Sequence, residues 1–127
     1  MSFNDEHAIE TYKSLISIST EALKAFQWLN GGAVVALLAY IGQRPELAIP
    51  ARCALTLFVV GLIAASAAFV TSYLTQLALY NEDIREEKYQ GTSHVIWLWA
   101  TLFIAIVSLA CFSLGAFAGV RAFAQIP

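Results

Sequence analysis

Histidine and glutamate side chains lie close together at two places in the sequence. His7 and Glu10 are three residues apart, which would place them on one face of a helix. A turn at Gly91 would bring Glu87 towards His94. Imidazole and carboxylate groups are common ligands of divalent metal ions. The same spacing is typical of solvated helix surfaces, so the pattern favours an exposed charged surface and leaves a metal site as the alternative.

No arrangement of residues matches a known catalytic constellation. The sequence contains no recognisable nucleophile with its base and orienting acid, no glycine-rich phosphate loop and no paired-cysteine metal motif. We therefore predict a non-enzymatic protein with no catalytic residue and no cofactor. If the protein instead acts on lipid at a membrane surface, the residues best suited to acid and base chemistry are Glu82, Glu86 and His94.

Hydroxyl side chains cluster in the second of three apolar stretches. Thr71, Ser72 and Thr75 fall near one face of a helix and would line a narrow pore if several copies surrounded an axis. Serine and threonine also donate hydrogen bonds to carbonyls of their own helix. Helix packing is therefore the simpler interpretation, and pore lining is the alternative.

The elements that must carry these residues are three apolar stretches, 25–42, 53–80 and 95–120, with no ionisable residue at mid-span. About 20 apolar helical residues cross a hydrocarbon core about 30 Å thick. Only 13% of the residues are charged, where about 25% is typical of soluble domains. The sequence predicts an all-α integral membrane protein with one domain, 1–127, and its net charge of −2 argues against a nucleic-acid partner.

An amphipathic helix is predicted over residues 4–24, before the first span. Its apolar stripe runs from Ile9 to Phe26 and its other face is polar. Lysines and glutamates balance on the polar face, which favours packing against protein over lying among lipid headgroups. Gly31 and Gly32 would permit either a bend or a straight helix with a close contact. The acidic segment lacks signal-peptide character, so a mature N-terminus is expected.

The two connections between spans are predicted to differ. Pro45 and Pro50 disrupt helix in the first, which makes the first two spans a tight antiparallel hairpin. The second span is followed by helix-compatible charged residues to about residue 90, before Gly91 offers a stop. We therefore expect this span to project beyond the bilayer and to offer the N-terminal helix an apolar contact.

Small residues predict close helix contacts in the second and third spans. Such residues let helix backbones approach and gain van der Waals contact in lipid. Three helices leave much surface exposed, so we predict a homo-oligomer, with contacts inside one subunit as the alternative. The residues are Gly61, Ala65, Ala68, Cys111, Gly115 and Gly119. Cys111 and Cys53 are interpreted as packing residues rather than as a disulfide.

Charged and aromatic residues distinguish the two ends of the spans. The N-terminus and the second connection share one side, which carries four basic residues against three on the other. The positive-inside rule then predicts a cytoplasmic N-terminus and a periplasmic C-terminus in a bacterial inner membrane. An aromatic belt is expected at the cytoplasmic interface, formed by Trp28, Tyr73, Tyr80, Trp97 and Trp99.

An amphipathic helix and three spans are combined in 127 residues, and the second span ends in YLTQLALYNED, residues 73–83. In layout the chain is similar to bacterial diacylglycerol kinase. That family carries a Glu-x-x-Asn-x-x-x-Glu arrangement on its second span, and residues 73–83 lack this spacing. The resemblance therefore implies a shared architecture without the kinase activity.

The whole sequence predicts a small polytopic inner-membrane protein with an accessory, scaffolding or pore-forming role. Its expected partners are the lipid bilayer, further copies of itself, and a membrane or cytoplasmic protein that binds the charged helical face. Two alternatives remain: an ion channel or lysis pore, similar to three-span phage holins, and a membrane enzyme acting on lipid at the cytoplasmic interface.

Overall fold

A computed structural model describes residues 3–84 and 93–124, with side chains for His7, 9–81 and 94–124. These residues form three long helices: α1 (Phe3–Gln43), α2 (Ala48–Ile84) and α3 (Ser93–Ala124). The expected all-α fold is confirmed. Each helix is long and apolar enough to cross a membrane. Helix is the expected form, because backbone N–H and C=O groups in lipid must find their partners within the segment.

α1 is one uninterrupted helix, which corrects the prediction of a separate amphipathic helix at 4–24. The stretch Ile9–Gln43 belongs as a whole to the first candidate span. The helix continues through Gly31 and Gly32, because the good helix formers that precede them provide no stop before the apolar run begins. With 41 residues, α1 measures about 60 Å, roughly twice the thickness of the hydrocarbon core.

The first connection is short because two prolines act differently in it. Arg44 precedes Pro45 and leaves the helical region, with φ −136° and ψ 79°, so α1 ends at Gln43. A 3₁₀ turn, Pro45–Leu47, follows, and the Leu47 N–H donates to the Arg44 carbonyl at 3.0 Å. Pro50 does not disrupt α2, because it lies in the first turn, where backbone N–H groups lack helical acceptors.

α2 is the central helix of an antiparallel bundle, packing along both α1 and α3, while α1 and α3 contact each other sparingly. A buried apolar cluster of Leu37, Ala51, Ala54 and Phe58 joins α1 to α2. It lies towards the end of the bundle that contains the first connection and the C-terminus of α3. We call this end the Arg44 end, and the opposite end the N-terminal end.

At the N-terminal end, α2 extends beyond the predicted span, as far as Ile84. The predicted helical extension from there to about residue 90 lies outside the described residues. The Tyr12 hydroxyl of α1 donates to Gln76 Oε1 of α2 at 3.1 Å. The first part of α1 therefore lies beside the last part of α2.

Candidate functional site

A layer of polar groups lies where the three helices meet. The side chains of Asn30 on α1 and Ser108 on α3 are completely buried, and both contact Gly61 of α2. Ser108 is 14 residues from His94 and 16 from Ala124, the two ends of the third candidate span. The layer therefore lies near mid-span. We call Asn30, Gly61 and Ser108 the polar layer.

Hydrogen bonds in the polar layer connect all three helices. Asn30 Nδ2 donates to the Phe26 carbonyl at 3.0 Å and to Ser108 Oγ at 3.2 Å. The Ser108 hydroxyl in turn donates to the Gly61 carbonyl at 2.8 Å. The Phe26 carbonyl can only accept, which fixes the amide with its nitrogen on that side. One carboxamide and one hydroxyl thus link α1, α3 and α2 in sequence.

Gly61 makes the burial of Asn30 possible. A Cβ built at position 61 would occupy the place of the Asn30 amide. Asn30 Oδ1 accepts no hydrogen bond from the described groups. The hydrogen that Gly61 carries in place of a side chain points towards Oδ1, which makes it a weak Cα–H donor to that oxygen. The amide is therefore seated directly against the backbone of α2.

The threonines predicted to line a pore make their hydrogen bonds within the chain. Thr101 Oγ1 donates to Thr71 Oγ1 at 2.8 Å, which joins α3 to α2. Thr75 is buried and its hydroxyl donates to the Thr71 carbonyl at 2.9 Å. Ser72 is half-buried. Pore lining by several copies stays a prediction.

The small residues singled out in α2 and α3 are mostly buried against helices of the same chain. A Cβ at Gly115 would lie 2.8 Å from Phe58 Cε1, and one at Gly119 would lie 3.9 Å from Ala54 Cβ. Gly61, Ala65 and Ala68 are likewise buried, whereas Cys111 is half-buried. Oligomerisation stays a prediction. Both cysteines are free, and Cys53 is exposed.

The described candidate metal and acid–base residues, His7, Glu10 and His94, lie towards the N-terminal end of the bundle. His7 and Glu10 are exposed on α1, and His94 is half-buried on α3. Among the described side chains, no three of His, Cys, Asp and Glu converge as a metal site. The acidic candidates Glu82, Glu86 and Glu87 lie outside the described side chains.

The aromatic side chains predicted to form a belt lie at different distances from the polar layer along the helix axes. Tyr73, Trp97 and Trp99 lie about 14–18 Å towards the N-terminal end, near the expected edge of the hydrocarbon core. Tyr80 lies about 28 Å from the layer, well beyond that edge. Trp28 is only two residues from Asn30 and is 80% exposed, so its ring faces outwards near mid-span. Three of the five predicted belt residues, Tyr73, Trp97 and Trp99, thus lie at a similar distance from the polar layer.

An apolar cleft of about 500 Å³ lies between α1 and α3, on the Arg44 side of the polar layer. Phe58 of α2 forms part of its wall, and the cleft is open to the outside of the bundle. At the Arg44 end, the rings of Tyr40 and Phe123 meet edge to face, with centroids 5.2 Å apart. The other lining residues are Ala33, Ala36, Leu37, Ala116, Gly119 and Val120.

Sequence reasoning missed Asn30 as the centre of the polar layer. The available signal is a single carboxamide inside the apolar run 25–42, at the point where the amphipathic stripe gives way to residues that are apolar all round. Comparison with known proteins found no match among family models, curated proteins or solved structures. The description of this chain as a small membrane protein therefore rests on its three candidate spans.

Proposed function

We propose that this protein is a non-enzymatic accessory or scaffolding component of a bacterial inner membrane, and that copies assemble side by side through α1. Its N-terminus would lie in the cytoplasm. The observation that carries this proposal is an exposed stripe on α1, Leu15, Ile18, Ala22, Ala25 and Leu29. We call these five residues the outer stripe.

The outer stripe has the spacing of a helix-pairing seam. Its residues follow one another at intervals of three and four, the pattern by which apolar positions of coiled coils meet a partner helix. The face of α1 that carries Leu23 and Asn30, about 110° around the helix from the outer stripe, is already in use, since both residues are buried within the bundle. Alanines at the centre of the stripe would let a second helix approach closely.

Part of the outer stripe lies beyond the expected edge of the hydrocarbon core, where exposing apolar surface to water is unfavourable. Ile18 is 12 residues from Asn30, about 18 Å along the helix, and half the hydrocarbon core is about 15 Å. Leu15 lies one turn farther out, and Leu15 and Ile18 are 58% and 64% exposed. Covering these side chains removes apolar surface from water, which favours association. A second copy inserted in the same orientation presents the same stripe at the same height.

The hydrogen bonds of the intramembrane hydroxyls support a packing role over a pore. Thr71 is joined to Thr101, and Ser108 to Gly61, so these polar groups link helices of one chain. A scaffold requires such fixed helix positions, because its function is to hold a surface in place.

Cysteine cross-linking in membranes tests assembly through the outer stripe. In a Cys53→Ser, Cys111→Ser background, Ile18→Cys should give disulfide-linked dimers under mild oxidation, because the same position meets itself across a two-fold axis. Ser17→Cys is the matched control, since residue 17 is exposed at the same height on a neighbouring face. Equal dimer yields from the two variants, or none from Ile18→Cys, would contradict the proposal.

A further inference from the structure

We propose that the cleft between α1 and α3 binds an acyl chain of an anionic phospholipid from the surrounding bilayer, with the lipid phosphate at Arg44. This inference goes beyond the proposed assembly and does not depend on it, since the outer stripe is formed by residues other than those that line the cleft.

The cleft lies within the depth of one lipid leaflet, since its lining runs from Ala33 to Tyr40 on α1 and from Ala116 to Phe123 on α3, about 10 Å along each helix. The contact of Asn30 with Ser108, near mid-span, lies beyond the inner end of this lining. At its outer end, the Tyr40 and Phe123 rings are in contact. Tyr40 is ten residues from Asn30, about 15 Å along the helix, which is half of a hydrocarbon core about 30 Å thick. An acyl chain of the leaflet at the Arg44 end covers this distance.

The wall of the cleft is apolar because small side chains leave room beside larger ones. Ala33, Ala36 and Ala116 border the space, and Phe58 contributes an aromatic surface. A volume of about 500 Å³ falls within the range of about 300–1,000 Å³ found for small-molecule sites. An empty space there would deprive its lining of van der Waals contacts, and lipid hydrocarbon is the solvent at hand.

The charge at the outer rim selects an anionic headgroup. Arg44 lies one turn beyond the lining residue Tyr40, its N–H bonded to the Tyr40 carbonyl at 3.1 Å. It is exposed, and among the described side chains no ion pair involves it. Arginine side chains bind phosphate through paired N–H donors. An exposed arginine at this position also indicates the headgroup level of the membrane, where an aromatic residue such as Tyr40 is favoured.

A helix from a second copy fits the cleft less well than a lipid chain. A helix with its side chains is about 10–12 Å across and needs a groove that continues past both ends of the contact. Here the Tyr40–Phe123 contact closes the outer end of the space, and the lining residues extend only about 10 Å along each helix. A single flexible chain entering from the side has no such requirement.

Native mass spectrometry tests the proposal with dioleoyl phosphatidylglycerol and dioleoyl phosphatidylcholine at equal concentrations in detergent. We expect one phosphatidylglycerol retained per chain. Ala36→Trp should abolish retention by filling the cleft, and Val35→Trp, on the adjacent exposed residue, should retain it. Arg44→Gln should reduce the preference for phosphatidylglycerol about fivefold, since each basic residue near a membrane surface contributes about that factor.

Three outcomes would overturn the inference. They are wild-type protein without retained lipid, equal retention of the two lipids, and equal loss of lipid in the Ala36→Trp and Val35→Trp variants. Dimers that lack lipid would instead assign the cleft to a second copy. Helix content measured by circular dichroism checks that each variant is folded.

Labelling of the wild-type protein keeps the test independent of variants. Phosphatidylglycerol with a photoreactive diazirine in the middle of its acyl chain is added at one equivalent per chain. Labels should concentrate in peptides containing 33–40 and 116–123. Labelling concentrated instead on the outward face of α2, at Ile63 and Val70, would overturn the proposal.

Discussion

Asn30 places a carboxamide among apolar side chains, where no bulk water can satisfy its polar atoms. Its amide nitrogen has two acceptors, one in its own helix and one on α3. Interhelical hydrogen bonds in membranes contribute about 0.6 kcal/mol on average and up to about 1.7 kcal/mol. The polar layer therefore gives modest stability, and its main effect is to fix which residues of the three helices meet.

A double-mutant cycle measures the link between Asn30 and Ser108. We expect Asn30→Ala to lower the free energy of unfolding by about 1–3 kcal/mol, since it removes both hydrogen bonds and leaves a cavity. The double variant with Ser108→Ala should cost less than the sum of the single changes. Unfolding in mixed detergent micelles gives these values. Ser113→Ala is the control, because the exposed Ser113 hydroxyl bonds only the Leu109 carbonyl of its own helix. Strict additivity would contradict the coupling.

Gly61 and Gly32 should respond in opposite ways to replacement by alanine. A methyl group at position 61 displaces the Asn30 amide, so Gly61→Ala should destabilise the fold by about 1–3 kcal/mol. Apart from the nearby backbone of α1 itself, no described atom lies within 4 Å of a Cβ at position 32, so Gly32→Ala should leave stability unchanged or raise it by up to about 1 kcal/mol through helix propensity. Thermal unfolding in detergent distinguishes them. Equal changes in stability for the two variants would mean that the Asn30 amide does not pack against Gly61.

Between the elements, the contact of Ala54 with Gly119 defines the register of α2 against α3. A Cβ at position 119 would lie 3.9 Å from Ala54 Cβ, within the separation of about 3.5–4.5 Å that disulfides require. In a Cys53→Ser, Cys111→Ser background, the pair Ala54→Cys, Gly119→Cys should therefore oxidise to an intrachain disulfide, detected by its altered gel mobility. The pair with Val120→Cys is the control, because Val120 is 67% exposed. Equal oxidation of both pairs would contradict this register.

The number and type of the helices could be predicted from composition and apolar length, but their junctions could not. The third stretch, 95–120, corresponds to Ser93–Ala124, because an apolar run long enough to cross lipid must be helical. The apolar pattern did not predict that 4–24 and the first span form one helix, because the amphipathic and the all-round apolar segments follow each other without a stop signal. The partner of Asn30 depends on how α3 is rotated and shifted, which the spacing of apolar residues in one helix does not determine.

For the whole molecule, three crossings by the candidate spans would place residues 13 and 46 on opposite sides of the membrane. With the proposed cytoplasmic N-terminus, an impermeant maleimide added to intact cells should label a Glu46→Cys variant and not a Lys13→Cys variant. Both positions are exposed; Lys13 lies in the first part of α1, and Glu46 lies in the 3₁₀ turn Pro45–Leu47 that follows the other end of α1. The background again lacks Cys53 and Cys111. Labelling of only the Lys13→Cys variant would reverse the orientation, and labelling of both in sealed cells would contradict three crossings.

The separation of Asn30 and Ser108 by 78 residues has a consequence for biosynthesis. At about 5–20 residues per second, ribosomes complete Ser108 roughly 4–16 s after Asn30. During that interval the nascent first span holds an amide without its partner on the third. Gly61 emerges before Ser108, so the backbone of α2 that holds the Asn30 amide is available first. The Ser108 hydroxyl, which accepts from Asn30 and donates to Gly61, arrives last. The chain thus reaches its complete three-helix arrangement only when its third span has been synthesised.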